Sequence, residues 1–232
     1  MNIVYAMTHH VYEQILPSLR SLAEHHPDAR VFILAEDDGL PFELPVKAEI
    51  INIADQQWFP EDGKNYNTWF KYINLLKVRY PTILPVDRAI HLDVDTIIWD
   101  DLTGLWETDL DGKWFGAVPE IQTWHRPFGK EYWNMGVAVL NLAQMRKDGI
   151  EQTLQDLLNN EKLPFADQEA WNIVAHGTGK VVDLDRRYNE GIPTGYTQHP
   201  AIVHYCGYKD WWTNMRMPRI ECLKKYREEY RG

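Results

Sequence analysis

The sequence has little of what marks secreted, membrane-spanning or nucleic-acid-binding proteins. Cys206 and Cys222 are its only cysteines, and it has no Asn-x-Ser/Thr glycosylation site. This composition is typical of a reducing compartment, so we expect a cytoplasmic protein. No run of about 18 uncharged apolar residues predicts a signal peptide or a membrane span. Acidic residues outnumber basic ones by 34 to 24, which argues against a nucleic-acid partner.

The chain is long and apolar enough to form one large folded domain. It has 232 residues, of which 44% are hydrophobic, and a core of that size needs no disulfides. We therefore predict a single domain over residues 1–232. Residues 213–232 carry an excess of basic side chains and predict a basic helical tail. Such tails are usually solvated helix faces, and the alternative is a weak peripheral contact with a membrane.

Short apolar runs alternate with segments of helical periodicity along most of the chain. This alternation predicts an α/β protein with a parallel sheet. The segment 67–80 reads as a mostly buried helix that ends before Pro81, because a proline disfavours helix in the residue before it. The predicted strands are 2–7, 31–35, 46–53, 89–92, 114–118, 136–140 and 201–203, and the predicted helices are 15–23, 67–80, 142–159 and 167–175.

Two acidic residues stand directly after the predicted strand 89–92. Asp93 and Asp95 are two positions apart, so in extended chain they point to the same face and can share one cation. The carboxyl ends of parallel strands are also where ligands bind. His204, at the end of another apolar run, is a candidate third ligand, and this donor set suits Mn²⁺ or Mg²⁺ better than zinc. The alternatives are an Asx-turn pair at a strand end and a structural histidine.

The order of several motifs resembles family 8 of the retaining glycosyltransferases, which includes glycogenin and bacterial lipopolysaccharide galactosyltransferases. The strongest match is Asp87-Arg88-Ala89-Ile90-His91-Leu92-Asp93-Val94-Asp95-Thr96, which is similar to the family hallmark D-K-V-L-Y-L-D-A-D-T. The resemblance extends over nearly the whole chain and includes the further segments 4–12, 69–71, 132–137, 165–170 and 204–209.

The resemblance implies both a fold and an activity. The expected fold is the GT-A fold, a Rossmann-like and mostly parallel central sheet flanked by helices. The expected activity is metal-dependent transfer of a hexose, glucose or galactose, from a UDP-sugar to a glycan, lipid-linked or protein acceptor. The anomeric configuration is expected to be retained, and the cofactor to be Mn²⁺ or Mg²⁺.

The resemblance also implies roles for individual residues. Asp93, Asp95 and His204 correspond to the metal ligands. Asn134, Asp167 and Gln168 correspond to the catalytic residues that contact the donor sugar. The residues expected to bind the nucleotide-sugar are Ala6, Thr8, His9, Tyr12, Lys71, Gly136, Gly207 and Lys209. Three positions depart from the family pattern: Lys209 follows Gly207 at a spacing one residue shorter, Met135 replaces a small residue, and His9 replaces a small amide.

Two other functions share some of these features. A metal-dependent nucleotidyltransferase would also use an acidic metal pair on an α/β sheet. It should have a Gly- and Lys-rich phosphate loop after the first strand, which Met7-Thr8-His9-His10 is not. A non-catalytic module that binds a nucleotide-sugar is the second alternative, and the intact metal and sugar motifs argue against it.

Overall fold

The computed structural model describes residues 1–67, 71–120, 131–191, 197–206 and 216–227, without the side chain of Lys71. The described residues form ten strands and eight α-helices. The strands are β1 (Asn2–Ala6), β2 (Arg30–Ala35), β3 (Ala48–Asn52), β4 (Arg88–Leu92), β5 (Thr96–Ile98), β6 (Phe115–Pro119), β7 (Trp133–Asn141), β8 (Val181–Asp183), β9 (Glu190–Gly191) and β10 (Ile202–His204). The helices are α1 (Leu16–His25), α2 (Lys71–Leu75), α3 (Tyr80–Ile83), α4 (Thr103–Trp106), α5 (Leu142–Asp148), α6 (Ile150–Asn160), α7 (Ala166–Ala175) and α8 (Ile220–Tyr226).

The central sheet has seven strands in the order β3-β2-β1-β4-β7-β6-β8. Its first four strands are parallel, and β8 is parallel to β6, which confirms a mostly parallel α/β fold. Strand β7 runs antiparallel to both β4 and β6. The beginning of β7 therefore lies beside the end of β4, and the Asp93 backbone N–H donates to the Gly136 carbonyl at 2.8 Å.

A small second sheet brings distant parts of the chain together. It has the order β5-β10-β9, with β10 antiparallel to β5 and parallel to β9. His204 is paired with Thr96, one residue beyond Asp95. Strands β5 and β9 have only three and two residues, too short for a recognisable period-two pattern, and the sequence did not predict them.

Two apolar clusters cover the two faces of the central sheet. Successive residues of β1 alternate between them, with Val4 in one cluster and Ile3 and Tyr5 in the other. A third cluster joins the small sheet to α8 through side chains that include Tyr205 and Tyr226. The fold thus has a continuous core on both sides of the sheet.

Two predicted helices are interrupted in the structure. The prediction that a helix ends before Pro81 is wrong: a 3₁₀ turn, Leu76–Arg79, leads into α3, where Pro81 lies in the first turn. A proline is tolerated there because the first N–H groups of a helix have no intrahelical partner. The predicted helix 142–159 is divided into α5 and α6 at Gly149, whose φ of 65° suits glycine.

The described part of the basic tail packs on the protein. Helix α8 buries Cys222, Leu223 and Tyr226, and Lys225 forms an ion pair with Glu24 at its exposed side. No helix in the described ranges is long and apolar enough to cross a bilayer. The peripheral membrane contact and the extent of the domain over residues 1–232 stay predictions.

Candidate active site

The three predicted metal ligands come together at the carboxyl end of β4. Nε2 of His204 lies 3.2 Å from Oδ1 of Asp95 and 3.8 Å from Oδ2 of Asp93. One ligand atom from each side chain falls within 4.8 Å of the others. Two carboxylates and one imidazole suit a hard divalent cation such as Mn²⁺ or Mg²⁺.

The electrostatics of the triad favour an ionised Asp93. Burial by itself would raise the pKa of Asp93, but Lys77 and His91 outweigh it and hold that pKa well below its usual range. Burial would lower the pKa of His204, but Asp95 and Asp93 raise it. Asp93 thus keeps its charge, and a positive charge on or beside the His204 ring is favoured. The negative charge of Asp93 and Asp95, which raises the pKa of His204, also favours a bound cation.

Gly136 makes room for this triad. A Cβ at position 136 would overlap Cε1 of His204 and would lie 2.9 Å from both Nδ1 of His204 and Oδ2 of Asp93. Its backbone is outside the left-handed region, so glycine is required there by space and not by φ. Gly136 therefore allows the backbone of β7 to pass directly against two metal-ligand candidates.

Two buried basic residues that the sequence analysis missed contact Asp93. Nζ of Lys77 donates to Oδ1 of Asp93 at 2.7 Å and lies 3.5 Å from Oδ2 of Asp167. His91 places Nε2 3.0 Å from the same Asp93 oxygen, and its Nδ1 lies 3.1 Å from the Tyr80 hydroxyl. A lysine inside the apolar run Leu75-Leu76-Lys77-Val78 was the available signal, because buried lysines are almost always paired.

Asp167 and Gln168 lie in the first turn of α7, beside the triad. Phe165 is the N-cap of this helix, and Asp167 is its second helical residue. Burial raises the pKa of Asp167 to about 6, against the opposing attraction of Lys77. Oε1 of Gln168 accepts from the backbone N–H of Met135 at 3.1 Å. The side-chain NH₂ group of Gln168 takes no part in this contact. Lys77 therefore holds Asp167 at the site, and the Met135 N–H holds Gln168 there.

Asn134 joins the triad to a small pocket. Its Oδ1 accepts from the Gly136 N–H at 3.0 Å and from Nδ2 of Asn189 at 2.9 Å, and its Nδ2 donates to Oε2 of Glu120 at 3.1 Å. Oδ1 of Asn189 lies 2.9 Å from Nδ1 of His204. Asn189 and Glu120 were not predicted from the sequence. The pocket beside them is lined by Val118, Pro119, Glu120, Asn134, Arg186, Asn189, Gly191 and Cys206.

Met135 does not line this pocket. Its side chain is buried and belongs to the core cluster that also contains Trp171. Consecutive strand residues point to opposite faces, so Asn134 and Gly136 face the site while Met135 faces the core. This departure from the family pattern is therefore accommodated on the other side of β7.

The turn after β1 lies at the same edge of the sheet. Ala6 and Thr8 are buried, whereas His9 is exposed and contacts Oε2 of Glu36 through its backbone N–H at 2.9 Å and its Nδ1 at 2.7 Å. The Tyr12 hydroxyl donates to Oδ2 of Asp37 at 2.9 Å. Strands β1 and β4 are parallel, so this turn and Asp93 follow neighbouring strand ends, at the edge of a parallel sheet where ligands typically bind.

Three of the residues predicted to bind the nucleotide-sugar fall outside the described residues. They are Gly207, Lys209 and the side chain of Lys71. Lys77 is the lysine whose described side chain contacts site carboxylates. Among the described residues, Lys77 thus adds a positive charge at a position that was not predicted from the sequence.

Comparison with known proteins agrees with this arrangement. The family described as "Glycosyl transferase family 8" matches residues 4–215. Glycosyltransferase GlyA of Streptococcus pneumoniae is 26% identical over 234 residues, covering 92% of this chain and 32% of the relative. Glycosyltransferase GlyF of the same species is 24% identical over 223 residues, covering 89% of this chain and 56% of the relative. The chain therefore spans about a third and just over half of these two relatives.

Among solved structures, the galactosyltransferase LgtC, determined in complex with donor and acceptor sugar analogs, has a similar fold. It is 21% identical, with a TM-score of 0.74, and the match covers 100% of this chain and 99% of that one. This likeness confirms the GT-A fold. Since the family match includes most of the chain and every described site residue, the chain belongs to glycosyl transferase family 8.

Proposed function

We propose that this chain transfers a hexose, glucose or galactose, from a UDP-sugar to a carbohydrate-bearing, lipid-linked or protein acceptor with retention of anomeric configuration. The convergence of Asp93, Asp95 and His204 is the observation that carries the proposal. Membership of glycosyl transferase family 8 supports sugar transfer and argues against a nucleotidyltransferase.

The triad would hold Mn²⁺ or Mg²⁺ against the donor diphosphate. When bound, the cation would neutralise the charge that develops on the leaving UDP. Lys77 adds a fixed positive charge, because Asp167 and Asp93 raise its pKa although burial would lower it. Its ammonium group contacts the carboxylates of both Asp93 and Asp167 and favours the ionised form of each.

The donor sugar would lie between Asn134, Asp167 and Gln168. Asp167 is engaged with Lys77, which makes it a hydrogen-bond acceptor for sugar hydroxyls and a poor nucleophile. We therefore favour front-face displacement. The bond between the anomeric carbon and UDP breaks, the acceptor oxygen bonds to the same face, and the leaving phosphate accepts the acceptor's proton. The residues orient the anomeric carbon for this step.

A panel of UDP-sugars with Mn²⁺, scored for hydrolysis without acceptor, tests the proposal. UDP-glucose or UDP-galactose should be consumed, and EDTA should stop the reaction. Asp95→Asn should lower turnover by at least about 100-fold, because a ligand carboxylate is lost. Asp111→Asn, at an exposed position, is the matched control.

Two results, obtained from this panel and from companion assays with saccharide acceptors and with nucleoside triphosphates, would contradict the proposal. Binding of every UDP-sugar without hydrolysis, and without transfer to any of a set of saccharide acceptors, would indicate a binding module. Release of pyrophosphate from a nucleoside triphosphate would indicate a nucleotidyltransferase. Full activity in EDTA would refute the metal site alone.

Gln168→Ala should slow sugar transfer more than it weakens UDP binding. The substitution removes the amide that is oriented by the Met135 N–H, and misplacement of the sugar by about 1 Å costs on the order of 100-fold in rate. Turnover and UDP affinity are measured separately, with Gln152→Ala on the exposed side of α6 as control. An equal loss in both quantities would show that Gln168 only binds the donor.

A further inference from the structure

We infer that Asn189 is a positioning residue that fixes the His204 ring with Nε2 toward the cation, through a directed chain of hydrogen bonds from Glu120 by way of Asn134. The inference rests on the proposed function, since it concerns the same metal site. It adds a residue that was not predicted from the sequence and that acts through the His204 ring.

The direction of these hydrogen bonds is determined by groups that can only donate or only accept. The Gly136 backbone N–H can only donate, so the Asn134 atom beside it must be Oδ1. Nδ2 of Asn134 then faces Oε2 of Glu120, a carboxylate oxygen that accepts. The two contacts agree independently on the orientation of the Asn134 amide.

This orientation determines those of the next two side chains. Because Oδ1 of Asn134 accepts, the Asn189 atom at 2.9 Å must be Nδ2, and Oδ1 of Asn189 must face His204. That oxygen is 2.9 Å from Nδ1 of His204, so Nδ1 carries the proton. Nε2, which faces Asp95 and Asp93, is left as the ring nitrogen that can give its lone pair to a metal.

Packing shields the hydrogen bond between Asn189 and His204 from water. Asn189 and His204 are 5% and 2% exposed, so water has little access to replace their contact. The backbone of β9 pairs with β10 next to them, with Gly191 opposite His204, and this holds the segment of Asn189 in place. Hydrogen bonds to the distal nitrogen of metal-binding histidines commonly fix the ring and strengthen the ligand.

The same chain of hydrogen bonds joins the candidate metal ligand His204 to Asn134, a predicted sugar contact. Asn134 receives both the Asn189 NH₂ group and the Gly136 N–H, so its orientation depends on Asn189. An acceptor in place of the Asn189 NH₂ group would repel Oδ1 of Asn134. A substitution of Asn189 that keeps an acceptor for His204 but removes the NH₂ group should therefore disturb the donor sugar without weakening metal binding.

Three variants test the inference, with free Mn²⁺ measured by electron paramagnetic resonance and UDP-sugar hydrolysis measured alongside. Asn189→Leu removes the acceptor for Nδ1 and should weaken Mn²⁺ binding by about 10- to 100-fold. Asn189→Asp keeps an acceptor, so it should bind Mn²⁺ at least as well as the wild type while hydrolysis falls. Asn141→Leu removes a bridging asparagine at the other end of β7 and should leave Mn²⁺ binding unchanged.

The outcomes distinguish this inference from the proposed function. Equal Mn²⁺ affinity in Asn189→Leu and the wild type would overturn the inference and leave the metal site intact. A loss of Mn²⁺ binding in Asn189→Asp or Asn141→Leu as large as in Asn189→Leu would also overturn it, because general destabilisation would explain all three. Failure of the wild type to bind Mn²⁺ with or without UDP would overturn the metal site and the inference together.

Discussion

Gly136→Ala is expected to abolish Mn²⁺ binding and turnover in a protein that still folds. The new methyl group would occupy the space of the His204 ring and crowd Oδ2 of Asp93. The backbone conformation at position 136 accepts alanine, so the clash is with the two ligand side chains. Overpacking of this kind costs about 1–3 kcal/mol, whereas displacement of a ligand should cost at least about 100-fold in metal affinity. Calorimetric titration with Mn²⁺ measures that loss.

Gly116→Ala is the matched control for this experiment. Position 116 is also a glycine of the central sheet, and a Cβ there would come within 3.0 Å of Leu184 and 3.1 Å of Val139, both apolar. The control should lose stability and keep its affinity for Mn²⁺. Wild-type Mn²⁺ affinity in Gly136→Ala would contradict the close approach of β7 to the triad.

Lys77→Met should be the most destabilising of the substitutions considered. Lys77 is 7% exposed and contacts both Asp93 and Asp167. Removing one partner of a buried ion pair leaves uncompensated charge, which costs about 3–5 kcal/mol of unfolding free energy. Urea denaturation in EDTA measures this loss without a contribution from metal. Turnover should fall as well, because the fixed positive charge beside the metal ligands is removed.

The stability that Lys77→Met loses should depend on pH. The pKa of Asp167 is raised to about 6 even with Lys77 present, so without the lysine protonation becomes still easier. A carboxyl group whose folded-state pKa is raised destabilises the fold as pH rises through that pKa. The variant should therefore be less destabilised at pH 5 than at pH 8.

Lys180→Met is the matched control for the loss of a lysine. Lys180 pairs with Asp148 at 3.1 Å, and both side chains are partly exposed. Exposed pairs contribute about 0–1 kcal/mol, so this variant should be nearly as stable as the wild type. Equal stability of Lys77→Met and Lys180→Met would show that the contacts of Lys77 do not stabilise the fold.

Local patterns were sufficient where a function depends on residues close in sequence. Asp93 and Asp95 follow a buried strand, and the alternation of strand and helix predicted the parallel part of the sheet. His204 was predicted as a ligand from its place after an apolar run, and the structure brings it to the pair. The position of the acidic pair was predictable because strand ends of a parallel sheet share one edge. His204 reaches the pair on the small sheet, and metal binding by the three side chains stays a prediction.

Lys77, His91 and Asn189 were missed for a different reason. Each acts on a partner through a contact between packed elements, and no spacing in the chain encodes which polar group meets which. Lys77 reaches Asp167 across 90 positions of the chain, and Asn189 meets Asn134 across 55. Such pairs depend on distances of about 3 Å, which only packing determines.

The amino-acid sequence alone determined the α/β class, the acidic pair and the family resemblance, because these depend on periodicity and on short motifs. The reversal of β7, the small sheet that carries His204, and the space at Gly136 were decided by tertiary structure. The physical reason is that a metal site needs ligand atoms a few ångströms apart, and residues 93, 136 and 204 reach that separation only when two sheets are packed against each other.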